Sequence, residues 1–282
     1  MTPLRAAMIK AMQVRGYSPR THETYLSAVT DFARYHGRCP AALDVQDLRR
    51  YIEYLITERE LAPATCRQSL NAIRFLYLQV LERAQFDVRI PVPKRPQRIP
   101  ELLARAEVAG LLAACSNPKH RMMLTVCYGC GLRLSELIGL RVSDIDSERP
   151  WLRIEQGKGA KDRLVPLSPT LLEQLRGYWR AYRPRQWLFP GRPGHKRLCE
   201  STPQKVYGKA KERAKVSKIG GIHALRHAYA THQLEAGLPV HRLQRYLGHR
   251  SIHTTMRYVH WVPEYREGRG EHDLIAHLTA QP

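Results

Sequence analysis

The sequence predicts a mainly α-helical protein of two domains, the second interrupted by a small antiparallel β-sheet. Apolar residues recur at helical spacing through most of the 282-residue chain. A proline-rich stretch, Asp87 to Pro100, breaks that spacing. Beyond residue 150 the period drops to two on either side of a Gly-Lys-Gly turn, which predicts a hairpin.

Residues 1–88 read as a bundle of four helices. The first is short, with Leu4, Ala7, Met8 and Ala11 on one face. The second opens at Ser18-Pro19, a capping residue followed by proline at the first helical position, and carries Tyr25, Ala28, Val29 and Phe32 at i, i+3, i+4 and i+7. Asp44 caps the third, which runs through Leu48, Tyr51, Ile52 and Leu55. The fourth begins at Pro63 and passes Leu70, Ile73, Tyr77 and Leu81. Arg15, Arg20, Arg67 and Arg74 are this bundle's candidate phosphate contacts, and the competing reading of each is a solvated surface side chain.

Residues 89–100 form the expected linker. Four prolines between Asp87 and Pro100 prevent helix and favour an extended path of ~3 Å per residue, on the order of 40 Å in all. Arg89, Lys94, Arg95 and Arg98 make it a basic strap able to cross a nucleic-acid backbone, with Arg95 and Arg98 the expected contacts.

Residues 101–282 form the second domain. Helices are expected from Val108 to Cys115, from Arg121 to Cys130 with a break at Gly131, and from Leu134 to Leu140. Strands follow from Trp151 and from Arg163, joined by QGKGAKD, from which Lys158 and Lys161 project. Pro169 begins a helix through Leu172, Leu175 and Trp179, Trp187 to Phe189 is a possible edge strand, and Thr202-Pro203 opens a basic helix carrying Lys205 and Lys209. The segment from His223 to Tyr258 reads as three short helices with turns at Gly237 to Pro239 and at Gly248, the last capped by Ser251. The tail from His272 to Ala280 is amphipathic and suits packing on its own domain or on a neighbouring subunit.

Charge narrows the function. With 46 Lys plus Arg against 25 Asp plus Glu the chain carries a formal +21, about two thirds of it beyond residue 100. A polyanion is the expected partner. No apolar run approaches the ~20 residues of a membrane span, and the first thirty residues are too polar and interrupted for a signal peptide, so a nucleic acid met in the cytoplasm is favoured over a membrane. Six cysteines suit reduced thiols, and Cys127 and Cys130, the only C-x-x-C, read as a buried helix end in preference to a metal or redox pair.

The densest chemistry lies between residues 223 and 258, where His223, Arg226, His227, His249 and Tyr258 fall within thirty-six residues. His223, Arg226 and His227 sit at i, i+3 and i+4 and share a helical face. An always-charged planar donor, imidazoles and a phenol suit an oxyanion with a hydroxyl ready to attack it. If Tyr258 attacks a phosphodiester, donors are needed on the nonbridging oxygens and a proton on the departing one. Arg226 offers one guanidinium fork and Arg133, just after the break at Gly131, a second. Glu136 can orient an arginine or an imidazole. Lys158, between two glycines, suits the leaving-group acid in preference to Lys161, which remains a DNA contact. His223 and His249 can bond the phosphoryl group or move the nucleophile's proton, while His227 reads as a supporting residue of its helix.

The strings GLRLSEL around Arg133, GKGAKDRLVPL around Lys158, HALRHAYATH around His223 and Arg226, LGH ending at His249, and Tyr258 nine residues later resemble the tyrosine recombinase (phage integrase) family, nearest its Xer-type subgroup. The likeness runs over nearly the whole chain, from YSPRTHETYLSAVTDF onward. It implies an N-terminal SAM-like DNA-binding bundle, a C-terminal catalytic domain, a clamp around double-stranded DNA, a 3′-phosphotyrosyl intermediate with a free 5′-hydroxyl, and strand exchange in a homo-tetramer, with a second recombinase as a further possibility. It puts the catalytic set on Arg133, Lys158, His223, Arg226, His249 and Tyr258, and implies no metal, nucleotide or other cofactor and no small-molecule substrate. The chain lacks the insertion of integron integrases, and VHWVPEYREGRG after Tyr258 departs from the usual Xer tail.

Rival readings stay open on sequence. Zinc on His223, His227 and His249 meets the objection that Arg226 shares their face and that no H-E-x-x-H is present. A DNA-binding protein without catalysis, and a type IB topoisomerase working through the same intermediate, are the others. The expected task is integration or excision of a mobile element, or dimer resolution.

Overall fold

The computed structural model describes residues 2–93, 100–155, 162–191, 196–262, 265, 266, 268 and 273–279. The chain divides into two compact units, Met1–Arg98 and Ile99–Pro282.

The first unit follows the apolar spacing closely: α1 (Pro3–Val14), α2 (Pro19–His36), α3 (Val45–Thr57) and α4 (Pro63–Gln79). Ser18 accepts from the backbone of Thr21 ahead of Pro19, and Gly37 ends α2 in the left-handed region. Asp44 and Asp47 form a reciprocal capping box on α3. Phe32, Leu48, Ile52, Ile73 and Tyr77 make the main core. Tyr77 stacks on Phe86 and donates its hydroxyl to the Pro40 carbonyl at 2.6 Å, so the buried phenol is not left unsatisfied. The expected linker starts later than its composition suggests, because Ile90 and Val92 pack against this core. Arg95 and Arg98 lie outside the described residues.

In the second unit α6 (Pro118–Gly129) is buried from Met122 to Tyr128 and packs against α8 (Pro169–Tyr182), α9 (Ser201–Arg213) and α10 (His223–Glu235). A helix hidden on several faces is the middle of its domain. α5 (Arg105–Ala113) and α7 (Leu134–Gly139) flank it in sequence. The sheet is antiparallel in the order β1 (Ile145–Asp146), β2 (Trp151–Ile154), β3 (Arg163–Pro166), with Leu152 opposite Val165 and Ile154 opposite Arg163. β1 is too short to show a period and the sequence did not disclose it. Trp187 to Phe189 is not a strand: Trp187 makes one isolated bridge, to Arg141, while Leu188 and Phe189 go into the core.

α11 (Val240–Leu247) and α12 (Ile252–Val259) complete the segment after α10. Ser251 stands at the N-cap of α12 but makes no side-chain cap bond, so the position was right and the expected bond is absent. α13 (Leu274–Thr279) packs on its own unit, with Leu274 and Ile275 buried and Asp273 accepting from the backbone of Ala276 and Thr170. Cys127 and Cys130 are buried at the end of α6, as the helix-end reading expected, and burial pushes both thiols up to about 12. Among the described residues no helix is long and apolar enough to cross a membrane.

At Gly131, φ is +58° and an added Cβ would stand 2.4 Å from the Tyr229 ring. Gly131→Ala should therefore combine backbone strain with a core clash and cost about 2–4 kcal/mol. The measurement is the urea midpoint of the full chain, expected to fall; an unchanged midpoint contradicts the reading.

Candidate active site

The site is built on a buried carboxylate. Arg133 occupies the N-cap of α7 with extended backbone, and its N–H donates to Oε2 of Glu136 at 2.7 Å. The Arg133 side chain turns onto the same residue, Nη1 donating to Oε1 at 2.7 Å, while Nη2 donates to the Gly248 carbonyl at 3.0 Å. Arg163 of β3 reaches Glu136 with both forks, Nη1 to Oε1 and Nη2 to Oε2 at 2.7 Å each, and gives Nε–H to the Tyr246 carbonyl. Arg226 of α10 lies 3.9 Å from Oε2. Burial alone would raise the Glu136 pKa, but the Arg163 bonds and charge, followed by the Arg133 bonds, outweigh it and hold the carboxyl at about 2.

Arg226 is 1% exposed and donates to the carbonyls of Gly131 at 2.7 Å and Leu247 at 2.6 Å. Burial lowers its pKa to about 10, which still leaves it charged at neutral pH. Its Nη2 also meets His249 Nε2 at 3.2 Å. Because guanidinium only donates, Nε2 is the acceptor and the ring's proton belongs on Nδ1, facing Thr255 Oγ1 at 2.9 Å. Burial, then the Arg226, Arg133 and Arg163 charges, bring His249 down to about 3, so the ring is neutral.

Tyr258, 4% exposed on α12, stacks parallel to His249 with centroids 6.1 Å apart, and its hydroxyl is 2.9 Å from Nδ1 of His227. Trp261 packs edge-on against the phenol ring at 5.0 Å. Burial raises the phenol's pKa, opposed chiefly by the Arg226, Arg257 and Arg133 charges. His223 keeps an exposed edge at the start of α10 and meets the His227 ring at 4.8 Å. Its pKa is lowered by desolvation on its packed side and by the Arg226 and Arg133 charges.

Arg133, Glu136, His223, Arg226, His227, His249 and Tyr258 thus converge, while Lys158 and Lys161 lie outside the described residues. His227 departs from its expected place as a partner within its own helix, because its bond goes to a phenol on α12. The expectation missed Arg163. The signal was available: it alternates with Val165 on the inward face of β3, and a buried arginine requires an acid. It also missed Thr255, which is fully buried beneath His249.

The candidate DNA contacts are dispersed. Arg15 bonds Gln79 at 2.5 Å, Arg20 pairs with Glu23 at 3.2 Å, Arg67 donates to the Pro93 carbonyl at 3.3 Å and Arg74 pairs with Asp87. Such surface bonds exchange readily for phosphate. Lys205 and Lys209 are exposed on α9.

Arginines around a carboxylate with a phenol beside them are residue types suited to phosphoryl transfer, and sequence comparison identifies the family. The model described as Phage integrase family matches residues 98–264, and that described as Phage integrase, N-terminal SAM-like domain, matches residues 4–86. A Sinorhizobium fredii protein designated an integrase/recombinase, y4qK, is 46% identical over 261 residues, 92% of this chain and 84% of its own length. A tyrosine recombinase of Thermosipho africanus is 32% identical over 259 residues, 88% of this chain and 90% of its own. The crystal structure of XerH site-specific recombinase bound to palindromic difH substrate matches with a TM-score of 0.69 at 20% identity, over 89% of this chain and 79% of that one, a likeness of fold. The chain belongs to the phage integrase family, the tyrosine-type site-specific recombinases.

The site has a pH signature. Glu136 is held below its unfolded value, so its contribution, roughly 3 kcal/mol, is present above pH ~4.5 and lost as pH falls toward 2. His227, His232 and His249 are also depressed, to about 4, 4 and 3. Below pH ~6.5 the unfolded chain protonates them and the folded one does not, so stability falls from there downward. Thermal midpoints should decline from pH 6.5 to 4, more gently in His232→Gln. A midpoint constant over that range contradicts the burial of these rings.

Proposed function

We propose that Tyr258 attacks a DNA phosphodiester to give a 3′-phosphotyrosyl linkage and a free 5′-hydroxyl, which later rejoins to a partner strand. One observation carries this reading. The charges of Arg226 and Arg133 act on the Tyr258 phenol, both arginines lie against a carboxylate shared with Arg163, and neutral imidazoles sit beside the ring, so the cluster next to the hydroxyl carries an excess of positive charge. Charge of that sign suits the developing phosphorane oxygens, and donors held by their own hydrogen bonds need no reorganisation as the charge grows. Arg133 and Arg226 are the phosphate-binding pair, Glu136 and Arg163 hold them in position, and His223 and His249 line the phosphoryl group. Lys158 is the leaving-group acid. The phosphotyrosyl bond conserves the energy of the bond it replaces, so the reaction needs no nucleotide or metal.

Tyr258 and Arg226 are closed from solvent, so DNA entry requires α12 to shift enough to admit a phosphate to the arginines while the phenol keeps its bond to His227. Gly248, left-handed at the start of the connection to α12, is the natural pivot. The basic strap and the lysines of α9 supply sequence-independent backbone contacts. The N-terminal bundle binds the same duplex, and four copies exchange strands. The integrase/recombinase relative and the tail after Tyr258 favour integration or excision of a mobile element, a reaction on cytoplasmic DNA.

The test traps the intermediate. Incubated with cellular DNA and denatured in detergent, the wild-type protein should retain covalent DNA whose 5′-hydroxyl ends accept a kinase label, with undiminished yield in EDTA. Tyr258→Phe should bind DNA and retain none. An adduct in that variant, or loss of the wild-type adduct in EDTA, overturns the reading; relaxation of supercoils without recombinant products would mark a topoisomerase.

A further inference from the structure

The three imidazoles near the phenol are divided by their hydrogen bonds. His249 is committed on both nitrogens: Nε2 accepts from Arg226 at 3.2 Å and Nδ1 faces Thr255 Oγ1 at 2.9 Å. It stacks on the Tyr258 ring with no lone pair free for the phenolic proton. His223 meets the ring of His227 edge-on. Among the hydrogen bonds of the described residues, it is His227 that puts a ring nitrogen on the nucleophile, Nδ1 lying 2.9 Å from Tyr258 Oη. With the ring proton on Nε2, Nδ1 accepts from the phenol.

Resting on the reading of Tyr258 as nucleophile, we propose that His227 is the general base of strand cleavage and the general acid of rejoining. As the Oη–P bond forms and the P–O5′ bond breaks, the phenolic proton passes from Oη to Nδ1, and the departing 5′-oxygen takes its proton from the leaving-group acid. In rejoining, the 5′-hydroxyl attacks phosphorus and gives its proton back to the now-deprotonated leaving-group acid as the O5′–P bond forms, the Oη–P bond breaks, and Nδ1–H returns its proton to Oη. No further reactant is needed.

The surroundings suit this exchange. His227 follows Arg226 on α10, so one helix sets both the phosphate donor and the base. Trp261 packs edge-on against Tyr258 at 5.0 Å and His227 at 5.8 Å, both at 76°, and fixes the pair. The charged and titratable groups facing His227 are His223 and Arg226 from α10 and Tyr258 and Arg257 from α12. Burial first, then the neighbouring His223, Arg226 and Arg257, holds its imidazole at about 4, so it is neutral and able to accept across the working range. A phosphodiester entering the site adds the negative charge that favours the imidazolium.

The experiment uses His227→Asn, whose amide oxygen can accept the phenol's hydrogen bond near the Nδ1 position but cannot hold a proton at neutral pH. The substrate is the DNA recovered from the wild-type covalent adduct, and the readout is single-turnover adduct formation between pH 5.5 and 9. The variant should bind this DNA as wild type does and form adduct about a hundredfold more slowly at pH 7, with a rate that climbs about tenfold per pH unit while wild type stays flat. A positioning role alone predicts a flat profile in the variant, so a wild-type rate, or a lowered rate that does not climb, overturns the proposal. Should His227→Asn fail to bind DNA, His227→Gly with added imidazole replaces it: a rate rising with imidazole supports the base, and one that does not opposes it. A wild-type protein that forms no adduct overturns the nucleophile assignment itself.

Discussion

The Glu136 carboxylate is the contact on which the cluster of buried arginines depends. It accepts two bonds from Arg163, one from the Arg133 side chain and one from the Arg133 backbone, and stands 3.9 Å from Arg226. Three guanidinium groups packed this closely repel one another, and burial removes the water that would screen them. A single ionised carboxylate makes the cluster tolerable without neutralising it, and that residual positive charge is what an entering phosphate would meet. Glu136 also caps the start of the helix bearing it, so the element that organises the cations is set by the same bond that begins α7.

Backbone carbonyls complete the arrangement. Those of Gly131, Leu247 and Gly248 take guanidinium protons from Arg226 and Arg133. Two of the three come from glycines in the left-handed region, where any Cβ would meet Tyr229 or Arg163. The turns that end α6 and α11 therefore serve as hydrogen-bond acceptors in the site as well as chain reversals. Short α12 then carries Tyr258 back onto the imidazoles, and Trp261 closes over the pair. On the proposed mechanism, fixed cations and a phenol on the short helix α12 divide the labour: the phosphate sites are formed in advance while the attacking group moves.

Much of this was legible in the sequence because local signals agree with tertiary demands. Ser18-Pro19, Asp44 and Pro63 mark helix starts that the structure keeps, and the period-two run after Trp151 marks the hairpin. The convergence of Arg133, Glu136, His223, Arg226, His249 and Tyr258 was legible because residue types of this kind are costly to gather in a fold without purpose. What escaped depended on partners distant in sequence. Arg163 reads as an ordinary strand residue until Glu136, twenty-seven positions earlier, is seen to receive it. His227 reads as a helix residue until Tyr258, thirty-one positions on, closes on it. Trp187 has strand-like neighbours, yet the segment supplies core side chains and one bridge, because tertiary packing overrides a weak local propensity.

The most direct measure of the Glu136 cluster is a double-mutant cycle on folding stability with Glu136→Gln and Arg163→Met, which needs no knowledge of the DNA site. Glu136→Gln leaves three packed guanidinium groups without their carboxylate, Arg163→Met leaves the carboxylate to Arg133 and Arg226 but strips its two-pronged partner, and the double variant removes the pair together. A coupling energy of about 1.5 kcal/mol or more is the result expected of charges bound to each other in a buried site. Additivity within about 0.5 kcal/mol would contradict it, and with it the claim that one carboxylate holds these cations in place.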